Sequence, residues 1–322
     1  MRIAVVFLLL FSSSLFAQTL QPLTVILDWF PNPDHAPLFV AQEQGFFKQQ
    51  GLNVKLIGPA NPADPPKLVA AGKANLAVTY QSQLLVDVQQ GLPLVRIATL
   101  IKTPLDCLVV DAHGPIKNIA DLKGKTIGYS GSDQDLAVLK TMLQQSNISL
   151  SQVKLINISY DLTQALLTHR VDAVIGLMRN FEVYQLQQEG FVPRVFYPEQ
   201  FGVPPHDELI IVANRNELHD PRLPKFLAAL QEGVSYLHAH PKQSWQLFAK
   251  AHPELNNTLN QKAWFETLDD FANNPGKLHK NKYNRFEQFM AQNKLLKKPL
   301  PLNSYAAEIL PVLSKPTNSA SE

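Results

Sequence analysis

The sequence of 322 residues predicts an α/β protein with two lobes, each a mostly parallel sheet flanked by helices. Strand and helix patterns alternate with short turns in the first third of the chain, and a second alternation begins after residue 111. The two echo each other, since Ala71–Val78 and Thr168–Ile175 each combine a helix end, a basic residue and an apolar strand. We expect lobe 1 to comprise residues 22–110 and 206–315, and lobe 2 residues 111–205, so that two crossings form a hinge.

In the first alternation, short apolar runs predict strands and periodic apolar residues predict helices. Glycines at positions 51, 72 and 91 follow the predicted helices, because a helix C-terminus favours this residue. The predicted strands are 23–27, 54–57, 75–79 and 94–101, and the predicted helices are 37–50, 65–71 and 81–90.

The second alternation predicts strands at 126–129, 153–158 and 171–176 and helices at 134–145, 163–168 and 181–188. A strand at 209–213 then precedes four amphipathic helices, predicted at 223–239, 242–251, 261–271 and 283–293. We expect the strand at 209–213 to return to the first sheet, which would complete lobe 1.

The N-terminus predicts a secretory signal peptide over residues 1–17. Arg2 supplies the positive charge, Ile3–Phe11 is almost wholly apolar, and Ala17 is a small residue at the expected cleavage point. No later apolar segment of about 20 residues predicts a membrane span. The single cysteine, Cys107, excludes an internal disulfide. We therefore expect an exported protein of the periplasm.

Composition and motifs argue against several function classes. The formal net charge is +2, and no basic run is interleaved with aromatic residues, so nucleic acid is not an expected partner. The nine histidines show no metal-ligand spacing, and the sequence has neither a Gly-x-Ser-x-Gly turn nor a P-loop. We therefore expect a binding protein without metal, cofactor or catalytic residues.

The stretch from Leu27 to Leu38 is the first candidate binding element. It connects a predicted strand to a predicted helix, and three prolines within seven residues stiffen it. The candidate ligand-binding residues in this loop are Trp29, Asn32, Asp34 and His35. A flat aromatic side chain beside amide, carboxylate and imidazole groups suits a small polar heteroaromatic ligand. An interpretation in which Trp29 is core and Asp34 caps the next helix fits this stretch equally well.

Tyr80 is a second candidate, because it stands at the carboxyl end of the predicted strand 75–79. Ligands of open α/β sheets bind beyond such strand ends. Trp29 follows an equivalent strand end, so the two aromatic rings could enclose a ligand ring from both sides. Periodicity alone slightly favours the alternative in which both residues are core.

Further candidates precede two predicted helices. Asn180 and Glu182 follow the strand 171–176, and Glu182 either complements the helix dipole or accepts a hydrogen bond from an exocyclic amine. Ser130 and Gly131 precede the helix 134–145 and could offer backbone N–H groups to an anion or a carbonyl oxygen.

Several motifs together resemble the NMT1/THI5-like family, and within it the ThiY-type binding proteins. The motifs are Asp28–Leu38, Ala41–Phe47, Asp121–Tyr129, Val171–Gly176, Asn180–Glu182 and Val203–Leu209, which cover nearly all of the chain after the predicted signal peptide. The first is specific to the family, whereas Leu122–Lys125 is shared with many sulfonate and nitrate binders.

The resemblance implies a type II periplasmic binding protein fold, a monomer, and delivery of formylaminopyrimidine or hydroxymethylpyrimidine to an ABC importer permease at the inner membrane. It implies stacking by Trp29 and Tyr80 and a polar anchor at Glu182, with Asn32, Asp34 and His35 lining the wall. Asp207 and Glu208, in the last motif, complete the candidate site.

The family also contains fungal enzymes that make the pyrimidine from pyridoxal phosphate and a histidine. Those enzymes carry a cysteine-rich motif where this chain has Gly202–His206, a lysine near the position of Thr79 and a histidine near that of Gln83. These three departures favour transport over catalysis. The alternatives are a binding protein for riboflavin, a flavin precursor or a sulfonate, and a pyrimidine synthase that uses pyridoxal phosphate.

Overall fold

The computed structural model describes residues 19–61, 64–130, 133–159 and 161–309. The predicted signal peptide and the candidate residue Gly131 lie outside the described residues. The α/β prediction is confirmed, since the described chain forms two five-stranded sheets flanked by helices.

The first sheet belongs to lobe 1 and has the strand order β2-β1-β3-β10-β4. Its strands are β1 (Gln21–Ile26), β2 (Leu52–Ile57), β3 (Leu76–Tyr80), β4 (Leu94–Ile101) and β10 (Leu209–Asn214). Strand β1 pairs in parallel with β2 and β3, whereas β10 is antiparallel to β3 and β4. The predicted return of the chain to the first sheet after residue 208 is therefore confirmed.

The second sheet repeats this arrangement, with the order β7-β6-β8-β5-β9. Its strands are β5 (Asp106–Asp111), β6 (Thr126–Tyr129), β7 (Lys154–Asn157), β8 (Ala173–Met178) and β9 (Pro193–Phe196). Strand β6 is parallel to β7 and β8, and β5 is antiparallel to β8 and β9. Strands β3 and β8, which carry the sequence echo, hold the same central position in their sheets.

Strands β5 and β9 were not predicted. Because of β5, the chain passes from the first sheet to the second earlier than expected. Strand β5 pairs within the second sheet, so the chain changes sheets between Ile101 and Asp106, before the expected boundary at residue 110. Apolar residues on both sides of the crossing hide it, because a buried strand in either sheet has the same pattern. Strand β9 is short and starts with Pro193, which weakens a strand pattern.

The helices largely follow the prediction. They are α1 (Ala36–Glu43), α2 (Phe46–Gln49), α3 (Pro65–Ala70), α4 (Gln81–Gln89), α5 (Asp133–Gln144), α6 (Leu162–Leu167), α7 (Glu182–Gln188), α8 (Arg222–Ala239), α9 (Pro241–Ala251), α10 (Thr258–Glu266) and α11 (Lys280–Gln292). No helix in the described part of the chain is both long and apolar enough to cross a bilayer.

Two helix predictions differ from the structure: one predicted helix is divided in two, and another has different ends. The predicted helix 37–50 is split into α1 and α2 because Gly45 adopts a left-handed conformation with φ of 75°. The predicted helix 261–271 starts earlier, where the Asn257 side chain accepts a hydrogen bond from Asn260 N at 2.9 Å. It ends at Glu266, and a short 3-10 helix, Leu268–Asp270, follows.

Helix α8 packs closely against α1, which carries the candidate loop at its N-terminus. The approach requires Gly233, because a Cβ atom there would lie 2.6 Å from the carbonyl oxygen of Pro37 and 2.9 Å from Ala41 Cβ. Both contacts are shorter than van der Waals packing permits, so glycine sets the distance between the two helices.

We predict that Gly233→Ala destabilises the protein, although alanine favours a helix interior by up to about 1 kcal/mol. Overpacking against Pro37 and Ala41 outweighs that gain, and the free energy of unfolding should fall by roughly 1–2 kcal/mol. Urea denaturation measures this, with Ser235→Ala on the exposed side of the same helix as the control. An equal or higher stability of Gly233→Ala would contradict the packing argument.

Candidate functional site

The proline-containing loop after β1 is fixed by a buried acid. Asp28 is 6% exposed, and its Oδ1 lies 2.7 Å from Nε2 of the fully buried His35. The hydroxyl of Tyr80 donates to Asp28 Oδ2 at 3.1 Å, which ties the loop to the end of β3. His35 therefore braces the loop from within, and Tyr80 keeps its ring beside the strand ends.

Asn32 and Trp29, two further candidate residues near this buried contact, have different roles. The Asn32 side chain accepts from Asp34 N at 2.8 Å and caps the 3-10 helix Pro33–His35. Trp29 is 40% exposed and packs edge to face on Phe30, with ring centroids 5.9 Å apart. The alternative of a core Trp29 is therefore wrong. The alternative of Asp34 as a cap for the next helix is also wrong, because the N-cap residue of α1 is His35 and no side chain caps that helix.

Carboxyl groups from both lobes converge at the strand ends. Lobe 1 contributes Asp28, Asp34 and Glu208, and lobe 2 contributes Asp106, Asp135 and Glu182. Asp28 and Asp34 raise the pKa of other members of the group, and Glu208, Asp135 and Glu182 each raise the pKa of Asp106. We call these six residues the acid cluster.

Burial is the main cause of high pKa values in the acid cluster. It raises the pKa of Asp34 to about 6 against the opposing effect of His35, and Asp28 adds to the rise. Burial also raises the pKa of Glu182 and of Glu208 to about 7, in both cases with a further contribution from Asp34. For Asp106, burial followed by the charge of Glu208 holds the pKa well above its ordinary range.

Arg179 lies beside the acid cluster but is already paired. Its guanidinium binds Glu199 through two hydrogen bonds of 2.6 and 2.9 Å and also donates to the carbonyl oxygen of Asp106. Glu199 therefore takes most of this positive charge. The acid cluster keeps an excess of hydrogen-bond acceptors, which suits a ligand with N–H donors or positive charge and disfavours an anion.

Lobe 2 contributes Asn180 and Glu182 to the site. Asn180 is 3% exposed, and its Nδ2 donates to Asp34 Oδ1 at 2.6 Å and to Thr267 Oγ1 at 2.8 Å. Both amide hydrogens are thus used, and only Oδ1 remains for a ligand. Glu182 is the first residue of α7, and its Oε2 accepts from Met178 N at 2.9 Å, which ties the helix start to the end of β8. The charge of Asp34 reaches this carboxyl group from lobe 1.

Two predicted site residues have other partners. Ser130 donates through its hydroxyl and its backbone N–H to Asp135 Oδ2, at 2.5 and 3.2 Å, so this N–H does not serve an anion as expected. Asp207 accepts from Thr99 Oγ1 and Tyr283 OH and pairs with Lys282. Asp207 therefore braces lobe 1, whereas its neighbour Glu208 joins the acid cluster.

Sequence reasoning missed Asp28, Asp106 and Asp135 as members of the site. Asp28 and Asp106 did carry a signal, because each lies at a strand end on the same edge as Tyr80 or Met178. Asp135 gave no comparable signal, since an acid in the first turn of a helix ordinarily complements the helix dipole.

Comparisons with known proteins place this geometry in context. The model of the family described as NMT1/THI5 like matches residues 32–244. A putative thiamine biosynthesis protein of Haemophilus influenzae is 48% identical, with 90% of this chain and 92% of that protein covered. A formylaminopyrimidine-binding protein of Halalkalibacterium halodurans is 32% identical, with 78% and 77% covered. A 4-amino-5-hydroxymethyl-2-methylpyrimidine phosphate synthase of Legionella pneumophila is 27% identical, with 77% and 79% covered.

Among solved structures, the periplasmic aliphatic sulphonate-binding protein SsuA of Escherichia coli is similar in fold. The TM-score is 0.72 at 15% identity, with 94% of this chain and 97% of that chain covered. The predicted periplasmic binding protein fold is thereby confirmed.

The acid cluster predicts a specific pH dependence of stability. Asp34, Glu182 and Glu208 keep their protons to higher pH in the folded state than in the unfolded chain, so the folded state binds more protons between about pH 4 and pH 7. The free energy of unfolding should therefore fall as pH rises, by roughly 6 kcal/mol from pH 5 to pH 8 for three acids that titrate independently.

Denaturant unfolding across this pH range, without added ligand, measures the slope. Glu208→Gln should flatten it and raise stability at pH 8, whereas the exposed control Glu189→Gln should leave it unchanged. A stability that rises from pH 5 to pH 8 would contradict the burial of these acids.

Proposed function

Because the chain belongs to the NMT1/THI5-like family, we propose that it is the substrate-binding protein of an ABC importer and captures a thiamine pyrimidine precursor. The ligand is formylaminopyrimidine or hydroxymethylpyrimidine, held between the lobes. The observation that carries this proposal is the acid cluster, with the exposed ring of Trp29 beside it. The relative named a formylaminopyrimidine-binding protein supports the same ligand class.

The chemistry of an aminopyrimidine matches the acid cluster group by group. Its flat ring offers two faces, for which Trp29 and Tyr80 are the stacking residues. Its exocyclic amine donates hydrogen bonds, for which Glu182 and Glu208 are acceptors of high pKa. A carboxyl group with a pKa near 7 can also share its proton with a basic ring nitrogen. The ligand thus replaces the water that these acids lose on burial.

A sulfonate is the weaker alternative, although the fold resembles a sulphonate-binding protein. A sequence identity of 15% supports a shared fold but does not indicate a shared ligand. A sulfonate is a permanent anion, and the acid cluster would repel it while Arg179 stays paired with Glu199. Riboflavin is neutral and larger, so a binding competition with the aminopyrimidine separates these two candidates.

A binding role also fits better than catalysis, although one relative is named a synthase. Residues with catalytic chemistry are held in structural positions here. His206 is buried against Phe286 with ring centroids 4.1 Å apart, and burial lowers its pKa to about 4. Cys107 is buried, and its thiol donates to the carbonyl oxygen of Leu177. A synthase that retains pyridoxal phosphate would show its absorbance, and we expect none in the purified protein.

The cellular setting follows from the same proposal. The predicted signal peptide supports export to the periplasm, where a binding protein meets its permease at the inner membrane. We propose that the protein acts as a monomer whose two lobes close on the ligand.

Two measurements test the proposed function directly. Isothermal titration should detect formylaminopyrimidine or hydroxymethylpyrimidine at micromolar concentrations or below, and neither riboflavin nor an alkyl sulfonate. Mass spectrometry of the gently purified protein should release the pyrimidine. Absence of binding at millimolar pyrimidine would overturn the proposal.

We predict that Trp29→Ala and Glu182→Gln each weaken pyrimidine binding at least tenfold, because one removes a stacking face and the other a charged acceptor. Matched controls are Phe265→Ala, an exposed aromatic residue on α10, and Glu189→Gln, just after α7. Thermal unfolding should show all four variants folded. Normal binding by both site variants would mean that the pyrimidine binds elsewhere.

A further inference from the structure

The two lobes touch beside the acid cluster at a small set of side chains. Helix α10 belongs to lobe 1, since Trp264 packs in the cluster that covers the first sheet with Phe248 and Val25. Helix α7 belongs to lobe 2, since Val183 and Leu186 pack against the second sheet. The two helices are in contact, so this is an interface across the cleft.

Asn180 forms the centre of this interface. Its two amide hydrogens reach acceptors on separate segments of lobe 1, the carboxylate of Asp34 in the loop and the hydroxyl of Thr267 after α10. Thr267 is fully buried and donates its own hydrogen to the carbonyl oxygen of Ala263 at 2.7 Å, which leaves it an acceptor for Asn180.

Tyr184 adds a second point of contact, one helical turn along α7. The ammonium group of Lys262 on α10 lies 4.2 Å from the centroid of the Tyr184 ring. Burial and the nearby carboxylate of Glu266 raise the pKa of the Tyr184 hydroxyl. Lys262, Glu266 and Thr267 thus present one face of the end of α10 to lobe 2.

The amide oxygen of Asn180 points to the function of this interface. Oδ1 is buried and has no hydrogen-bond partner among the described residues. A buried acceptor of this kind costs free energy unless a partner fills it. An N–H group of a ligand in the cleft would supply that partner.

We infer that Asn180, Tyr184, Lys262, Glu266 and Thr267 form an interlobe latch, in which Asn180 joins the lobes through its amide nitrogen and senses the ligand through its amide oxygen. Asn180 is thus a positioning residue as well as a ligand contact. The latch stabilises only the closed arrangement, and the apparent affinity scales with the fraction of protein that reaches it. The ligand role of Asn180 rests on the proposed function, whereas the joining of the lobes does not.

The latch can be tested without any ligand. Cysteines introduced at exposed positions Lys48→Cys in lobe 1 and Glu189→Cys in lobe 2 accept dyes for single-molecule energy transfer, while Cys107 stays buried. Thr267→Val removes one acceptor at nearly constant shape, and Tyr184→Leu removes the aromatic ring that faces the Lys262 ammonium group. Each should lower the closed-to-open ratio roughly fivefold. The exposed control Lys250→Met should leave it unchanged.

The same variants separate a latch from a general structural role. With formylaminopyrimidine as the probe, the dissociation rate should rise about fivefold while the association rate stays constant, because the latch forms after encounter. Unfolding midpoints should stay within a few degrees of the unmodified protein.

Unchanged energy transfer in both variants would overturn the latch. Variants that open in energy transfer while the unmodified protein fails to bind the pyrimidine would instead overturn the proposed function and leave the joining role intact.

Discussion

The burial of several carboxyl groups at one place is the constraint on which this protein depends. Asp34, Glu182 and Glu208 lose water where the lobes meet, and their raised pKa values express the cost. A fold optimised for stability alone would replace such acids with apolar residues. Their presence is therefore an argument for a ligand that offers them hydrogen-bond donors.

The topology explains why acids from distant segments meet. In each sheet the antiparallel strand lies between two strands of opposite direction, so its first residue adjoins the carboxyl end of a neighbour. Leu209 pairs with Tyr80 in the first sheet, and Asp106 pairs with Met178 in the second. The chain therefore enters β10 and β5 at the edge where ligands of such sheets bind, and Glu208 and Asp106 are delivered to it by connectivity alone.

The sequence predicted the helices and strands, and the sheet edge where the site lies, better than it predicted which side chains contact one another. Periodicity gives β1, β3 and β10, whereas β5 was missed although Lys102–Pro104 precede it, because its apolar run fits a buried strand of either sheet. The same limit applies to side chains. Asp207 and Glu208 are adjacent in sequence, yet the segment that leads into β10 directs one to Lys282 in lobe 1 and the other to the acid cluster. Only the packed structure separates them.

Closure links the acid cluster to the choice of ligand. Where the lobes meet, Asp34 of lobe 1 repels the charged form of Glu182 of lobe 2 and so raises its pKa. The hydrogen bond from Asn180 to Asp34 offsets part of this repulsion. Glu182 and Glu208 each accept one backbone N–H through Oε2, from Met178 and from Leu105, and their Oε1 atoms can accept further donors. A ligand with N–H groups supplies such donors, and an anion adds to the repulsion. The protein thus discriminates between ligands by their charge when the lobes close. At that point water is excluded, and the interaction energies of the acid cluster with a donor and with an anion differ most.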